Sequence, residues 1–301
     1  MTTVRAFIQR HPVLTYYVLT FAISWGGMLA VVGVGAGGFS ITPEQLQALI
    51  PYAVPAMLVG PAVAGLLLTG LVDGRAGLRE FSSRLLKWRV GARWYAVALL
   101  TTPLSIMAVL LVLSLLSPEF LPRIYTADDK AALLLMGLAV GLGAGIFEEL
   151  GWTGFAIPRL RLRYSILTTG LIVGVLWGLW HFFVNFWASG VTSGAISLAV
   201  FLPAWLFGVL AGQLTAYRVL MAWVYDRTGS LLVAILMHVS LAAFQFILIP
   251  PVPGVAYWTI GFVYAAVTWV VVAAVAVANG GQLSRPGKPP AGIGSPQLRL
   301  R

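Results

Sequence analysis

The chain has 301 residues, of which 59% are hydrophobic and 9% charged, with no cysteine and a net charge of +10; its mean hydropathy is +0.92. Such a composition excludes an ordinary soluble domain, and the lack of cysteine excludes disulfides and thiolate-held metal or iron–sulfur centres. The positive charge needs only basic loops and anionic lipid headgroups, so membrane lipid is an expected partner and nucleic acid is not.

Apolar runs of about 20 residues, the length that spans ~30 Å of hydrocarbon as a helix, occur in chain order at Val13–Val34, Ala48–Val72, Trp94–Leu116, Ala131–Ile157, Ile166–Ala188, Ile196–Val224, Leu231–Ile249 and Ala256–Ala278. The expected fold is therefore all-α, a polytopic membrane bundle of about eight transmembrane helices forming one domain over residues 1–278. The first run is too long for a removable signal peptide. Residues 279–301 form a basic tail rich in Gly and Pro, expected to be disordered.

Cytoplasmic loops carry the excess of Lys and Arg. An inside N-terminus places Arg5, Arg10, the basic residues of the Arg75–Arg93 segment, Arg159, Arg161, Arg163, Arg218, Arg227 and the tail on that side, leaving Arg123 and Lys130 outside. Both termini are then cytoplasmic, and the location is the cytoplasmic membrane. Between the second and third spans, Leu78, Phe81, Leu85 and Trp88 recur at helical spacing among basic residues. That pattern predicts an amphipathic helix on the inner membrane surface.

Ionisable groups inside the apolar runs mark chemistry, because a charge in hydrocarbon is costly unless paired or hydrated. Glu148 and Glu149 fall near the end of the fourth run, where Glu148 shares a face with Trp152 and Glu149 with Thr153. Adjacent helical residues diverge by about 100°, so the two carboxylates should differ in role, one a general base and the other an orienter or structural partner. In the fifth run Trp177, His181 and Asn185 form one stripe, and in the seventh His238 and Ala242 stand one turn apart, with Gln245 beyond. A single such histidine would be read as a neutral imidazole bonded to a neighbouring helix. Two of them beside a diglutamate favour a functional site.

Three segments now stand together: Glu148–Leu160 (EELGWTGFAIPRL), Trp177–His181 (WGLWH) and Tyr225–Ser240 (YDRTGSLLVAILMHVS). They resemble, in order and approximate spacing, the EExxxR, FxxxH and HxxxN motifs of the CPBP family of intramembrane proteases. That family includes the type II CAAX prenyl endopeptidases and bacterial lysostaphin-resistance and bacteriocin-immunity relatives, and the resemblance covers about residues 130–250. It implies peptide-bond hydrolysis in a membrane cavity, on a membrane-anchored or lipidated polypeptide. It also implies that Glu148 activates water with His181, and that His238 stabilises the oxyanion together with an asparagine.

The chain departs from the family pattern at three positions. Thr153 replaces the arginine, so Glu149 must be protonated, solvated or paired elsewhere; Trp177 replaces phenylalanine; and Ala242 replaces the asparagine. Gln245, Asn185 and Ser240 are the candidate substitute donors. Zinc held by Glu148, His181 and His238 is one option, and metal-free chemistry is favoured because the histidines lie on separate helices and no HExxH occurs. An impaired member acting as a binding or immunity protein is the alternative function, ahead of a proton-coupled transporter, for which no repeated halves are evident. Oligomeric state is left open. Measured along straight helices from the inner boundaries, Glu148 lies about 14 Å deep, His238 about 11 Å and His181 about 23 Å. Convergence requires tilt or an earlier start to the fifth span.

Overall fold

A computed structural model describes residues 3–36, 41–192, 194–252, 254–280 and 283. The described residues form helices only: α1 (Thr3–Arg10), α2 (Pro12–Ala36), α3 (Pro43–Leu85), α4 (Ala92–Ser114), α5 (Arg123–Thr126), α6 (Lys130–Gly151), α7 (Ile157–Leu160), α8 (Ile166–Trp180), α9 (Phe182–Ala188), α10 (Leu198–Ala204), α11 (Thr215–Thr228), α12 (Leu231–Leu248) and α13 (Gly254–Ala278). Two π-helical stretches, Trp152–Ala156 and Trp205–Leu214, fuse α6 to α7 and α10 to α11. Among the described residues, seven helices are long and apolar enough to cross a membrane, and the bent pair α8–α9 makes an eighth if it is one span. The chain is therefore an all-α, multi-pass membrane bundle. Most of the tail expected to be disordered, residues 281–282 and 284–301, lies outside the described residues.

Apolar surface on the outer faces is what a lipid-facing bundle requires. On α6, Leu134, Leu135, Leu138 and Leu142 are exposed, while Gly137, Gly141 and Gly145 on the opposite side are buried. These glycines let α6 lie directly on the backbone of α12: a Cβ at Gly141 would fall 2.6 Å from the Val239 carbonyl oxygen. Close approach of this kind is the usual role of small residues in membrane helix pairs. Helix α12 also packs along α4, and α8 packs along α11. The Tyr217 hydroxyl ties three of these helices, accepting from Thr102 Oγ1 at 2.8 Å and donating to the Met237 carbonyl at 3.0 Å.

The fifth span is not straight. Helices α8 and α9 meet at an angle of 44°, with His181 between them at φ −77° and ψ 0°. The bend frees main-chain carbonyls from the helical ladder. The carbonyl of Trp180 accepts from Trp25 Nε1 at 3.0 Å.

The amphipathic segment after the second span is docked on protein rather than lying wholly on lipid. It continues α3 beyond Gly74, whose φ of 63° and ψ of −152° break the helix in a region that only glycine enters freely. Phe81 is buried against Leu231, Ile235 and Val239 of α12. Arg84 is buried too and donates to the Tyr225 hydroxyl at 2.8 Å. Leu78 and Trp88 remain exposed, so half of the apolar stripe serves the core. The same end of the bundle is laced by ion pairs between Arg159 and Asp73 and between Arg161 and Asp226.

Ser230 connects this end to α12. Its hydroxyl accepts from the Val233 amide at 3.2 Å as an N-cap and donates to the Lys87 carbonyl at 2.6 Å. Ser230→Ala is expected to cost about 1 kcal/mol or somewhat more, read as a lower melting temperature in detergent without a change of helix content.

Candidate functional site

Glu148 and Glu149 occupy the last turn of α6 and are 2% and 0% exposed. A helix places neighbouring side chains about 100° apart, and here the two carboxylates meet different partners. Glu149 is held from three elements. Its Oε1 and Oε2 each lie 2.8 Å from Arg218 Nη1 on α11, Oε1 lies 2.7 Å from His238 Nδ1 on α12, and Oε2 accepts from the hydroxyl of Thr153 in the π-helical stretch. A carboxylate so engaged has little capacity left to take up a proton or bind water.

Glu148 is held on one side only. Its Oε2 accepts from Trp177 Nε1 at 2.5 Å, whereas its Oε1 stands 3.8 Å from His238 Nε2. That separation is too long for a hydrogen bond and is the range in which a bridging water is considered.

Trp177, on α8, is the hub of the cluster. Its ring centroid lies 5.2 Å from that of His238 and 5.3 Å from that of His181, both edge-on, and the Arg218 guanidinium stacks over it at 4.1 Å. His181 sits at the bend, with Nδ1 2.8 Å from the Trp177 carbonyl oxygen. Because a carbonyl can only accept, Nδ1 carries the hydrogen, and in the neutral ring Nε2 is the acceptor. Three of the site residues expected from sequence, Glu148, His181 and His238, thus lie around one indole, and Glu149 joins them through His238 and Arg218. Trp177, one turn before His181, is the residue of α8 that reaches Glu148.

The candidate replacements for the missing asparagine at Ala242 are placed elsewhere. Ser240 Oγ donates to the Leu99 carbonyl of α4 at 2.8 Å, and Asn185 Nδ2 donates to the His181 carbonyl at 2.9 Å. Gln245 lies on α12 about 10 Å further along the helix axis from His238. Among the described residues, no three His, Asp or Glu side chains are grouped to hold a metal ion. His238 Nδ1 and His181 Nδ1 are both engaged by protein oxygens, which orients each ring and leaves Nε2 as the nitrogen that could meet a substrate or a metal.

Arg218 is the residue that the sequence reading placed wrongly. The distribution of charge groups it with the cytoplasmic loop cations, yet it is 0% exposed and lies within the membrane-length helix Leu198–Thr228. The signal was available, since Arg218 falls inside the expected sixth span and a lone cation there demands a carboxylate.

A buried carboxylate–histidine centre inside a multi-pass helical bundle defines the class of protein. Residues 130–244 match the family model described as type II CAAX prenyl endopeptidase Rce1-like. A curated relative, CAAX prenyl protease 2 of Methanococcus maripaludis, is 41% identical over 64 residues, which are 20% of this chain and 22% of the relative. The chain therefore spans about a fifth of the length of that relative.

Proposed function

We propose that the chain is an intramembrane endopeptidase of the cytoplasmic membrane, with both termini in the cytoplasm, hydrolysing a peptide bond in a membrane-anchored or lipidated polypeptide. The observation that carries this reading is the asymmetry of the diglutamate: Glu149 is saturated, while Glu148 Oε1 faces His238 Nε2 across 3.8 Å. Glu148 is the carboxylate free to act on water.

In the proposed reaction a water held at Glu148 gives its proton to that carboxylate as its oxygen attacks the scissile carbonyl carbon. His181, joined to Glu148 through Trp177, helps to orient the water. His238 is held at Nδ1 by the carboxylate of Glu149 and turns its Nε2 edge toward the developing oxyanion. Collapse of the tetrahedral intermediate breaks the C–N bond as Glu148 returns the proton to the departing amine. No step requires a metal.

A binding role without turnover is the second reading. It is favoured by Ala242 and by the engagement of Ser240 and Asn185 with main-chain carbonyls. Purified protein in nanodiscs, offered quenched-fluorescent lipidated peptides with and without a chelator, tests both. Cleavage that survives chelation supports the metal-free endopeptidase. Chelator-sensitive cleavage would select a metal held by Glu148 and the histidine Nε2 atoms instead, and peptide binding without cleavage would select the second reading.

A further inference from the structure

Arg218 touches the supports of both catalytic partners, and it does so from a helix that contributes no reacting group. Its Nη1 bonds both oxygens of Glu149, which in turn holds His238 Nδ1. Its guanidinium face lies on Trp177, whose Nε1 is bonded to Glu148. Resting on the proposed peptidase reading, we infer that Arg218 is a positioning residue, fixing Glu149 as a hydrogen-bond acceptor so that His238 presents Nε2 to Glu148.

Stability alone is a poor reason for this arrangement. A buried ion pair is often matched or bettered by apolar side chains of similar volume, because desolvation offsets the attraction. What apolar residues could not supply is an anionic acceptor for Nδ1–H. A protonated Glu149 would donate to Nδ1 instead, and the ring would no longer offer Nδ1–H to residue 149 while turning Nε2 toward Glu148. Arg218 is well anchored for the task. Its chain neighbour Tyr217 bonds the carbonyl of Met237, the residue before His238. One short link therefore fixes the position of Arg218 relative to His238.

Thr153 offers the means of testing the role apart from the residue. It stands one helical turn from Glu149 and already donates to it, so a guanidinium placed at 153 can reach the same carboxylate. The experiment compares wild type, Arg218→Gln and the double variant Arg218→Gln/Thr153→Arg in nanodiscs. Two measurements are made: steady-state cleavage, and 15N resonances of labelled histidine rings. With only three histidines in the chain, the His238 resonances are assigned by their loss in His238→Asn.

Arg218→Gln is expected to lose the hydrogen-bonded Nδ1–H signal of His238 and to lower kcat by about 100-fold, with KM changed by less than about twofold because uniform substrate binding is untouched. The double variant should regain the signal and bring kcat to within about tenfold of wild type. An unchanged His238 signal in a folded Arg218→Gln protein overturns the inference, as does a folded double variant that lacks the signal; the latter decides the matter even where the single variant does not fold. Should wild type cleave no peptide, the peptidase reading fails on its own, and the ring signals still decide the positioning role.

Discussion

Glu148→Gln is expected to lower the cleavage rate by about 100- to 10,000-fold, the range for loss of a general base, while leaving the fold intact. The amide keeps the shape of the side chain, and its oxygen can still accept from Trp177 Nε1, which is bonded to Glu148 Oε2 in the native protein. The buried guanidinium of Arg218 keeps its partner, because it is bonded to the neighbouring residue. Glu149→Gln should behave in the opposite way. It leaves the 0%-exposed guanidinium of Arg218 without its counter-charge, and breaking a buried pair in this manner typically costs about 3–5 kcal/mol. Two chemically identical substitutions at adjacent positions are thus expected to separate, one removing activity at nearly constant melting temperature and the other lowering the melting temperature itself. Thermal unfolding in nanodiscs beside the peptide cleavage assay checks both. Equal loss of stability in the two variants would contradict the division of roles.

That division is only half legible in the sequence. Spacing along a helix shows that Glu148 and Glu149 must point apart, but not which of them meets a cation. Thr153 marks the missing partner of Glu149, and the replacement lies 69 residues further along the chain on α11. Nothing local to either segment connects them. The spans themselves are readable because hydropathy and length are local properties, and their number, seven or eight depending on the bent pair, matches the expected eight. The link between His181 and Glu148 is hidden for the converse reason: it runs through Trp177, one turn before His181, which gives its indole N–H to Glu148 and its carbonyl to His181, and a depth count along straight helices does not contain such a tertiary contact. Phe81 teaches the same lesson for the surface helix. Its periodicity announces an apolar face without saying whether lipid or α12 covers it.

The spacing between α6 and α12 should control the reaction as strongly as the reacting groups do. Glu149 lies one turn beyond Gly145, and His238 is adjacent to Val239, so the 2.7 Å bond between Glu149 and His238 crosses the same interface that Gly145 packs. A Cβ at Gly145 would stand 2.6 Å from Val239 Cγ2, 2.9 Å from the Val239 amide nitrogen and 3.0 Å from the Ile235 carbonyl oxygen. Two of these neighbours are main chain, and a rotamer change at Val239 relieves only the third. Gly145→Ala must therefore push the helices apart, at an expected cost of about 1–3 kcal/mol in stability. Displacement of about 1 Å between catalytic groups is worth roughly 100-fold in rate, so one methyl remote from any proton transfer should lower kcal-scale stability modestly and cleavage severely. Gly143→Ala is the matched control on the same helix. A Cβ there meets nothing nearer than Leu58 Cδ1 at 4.0 Å, and the substitution should gain up to about 1 kcal/mol of helix propensity with cleavage unchanged. If Gly145→Ala cleaves as fast as Gly143→Ala, the α6–α12 contact does not set the geometry of the centre, and the bond from Glu149 to His238 is not what aligns it.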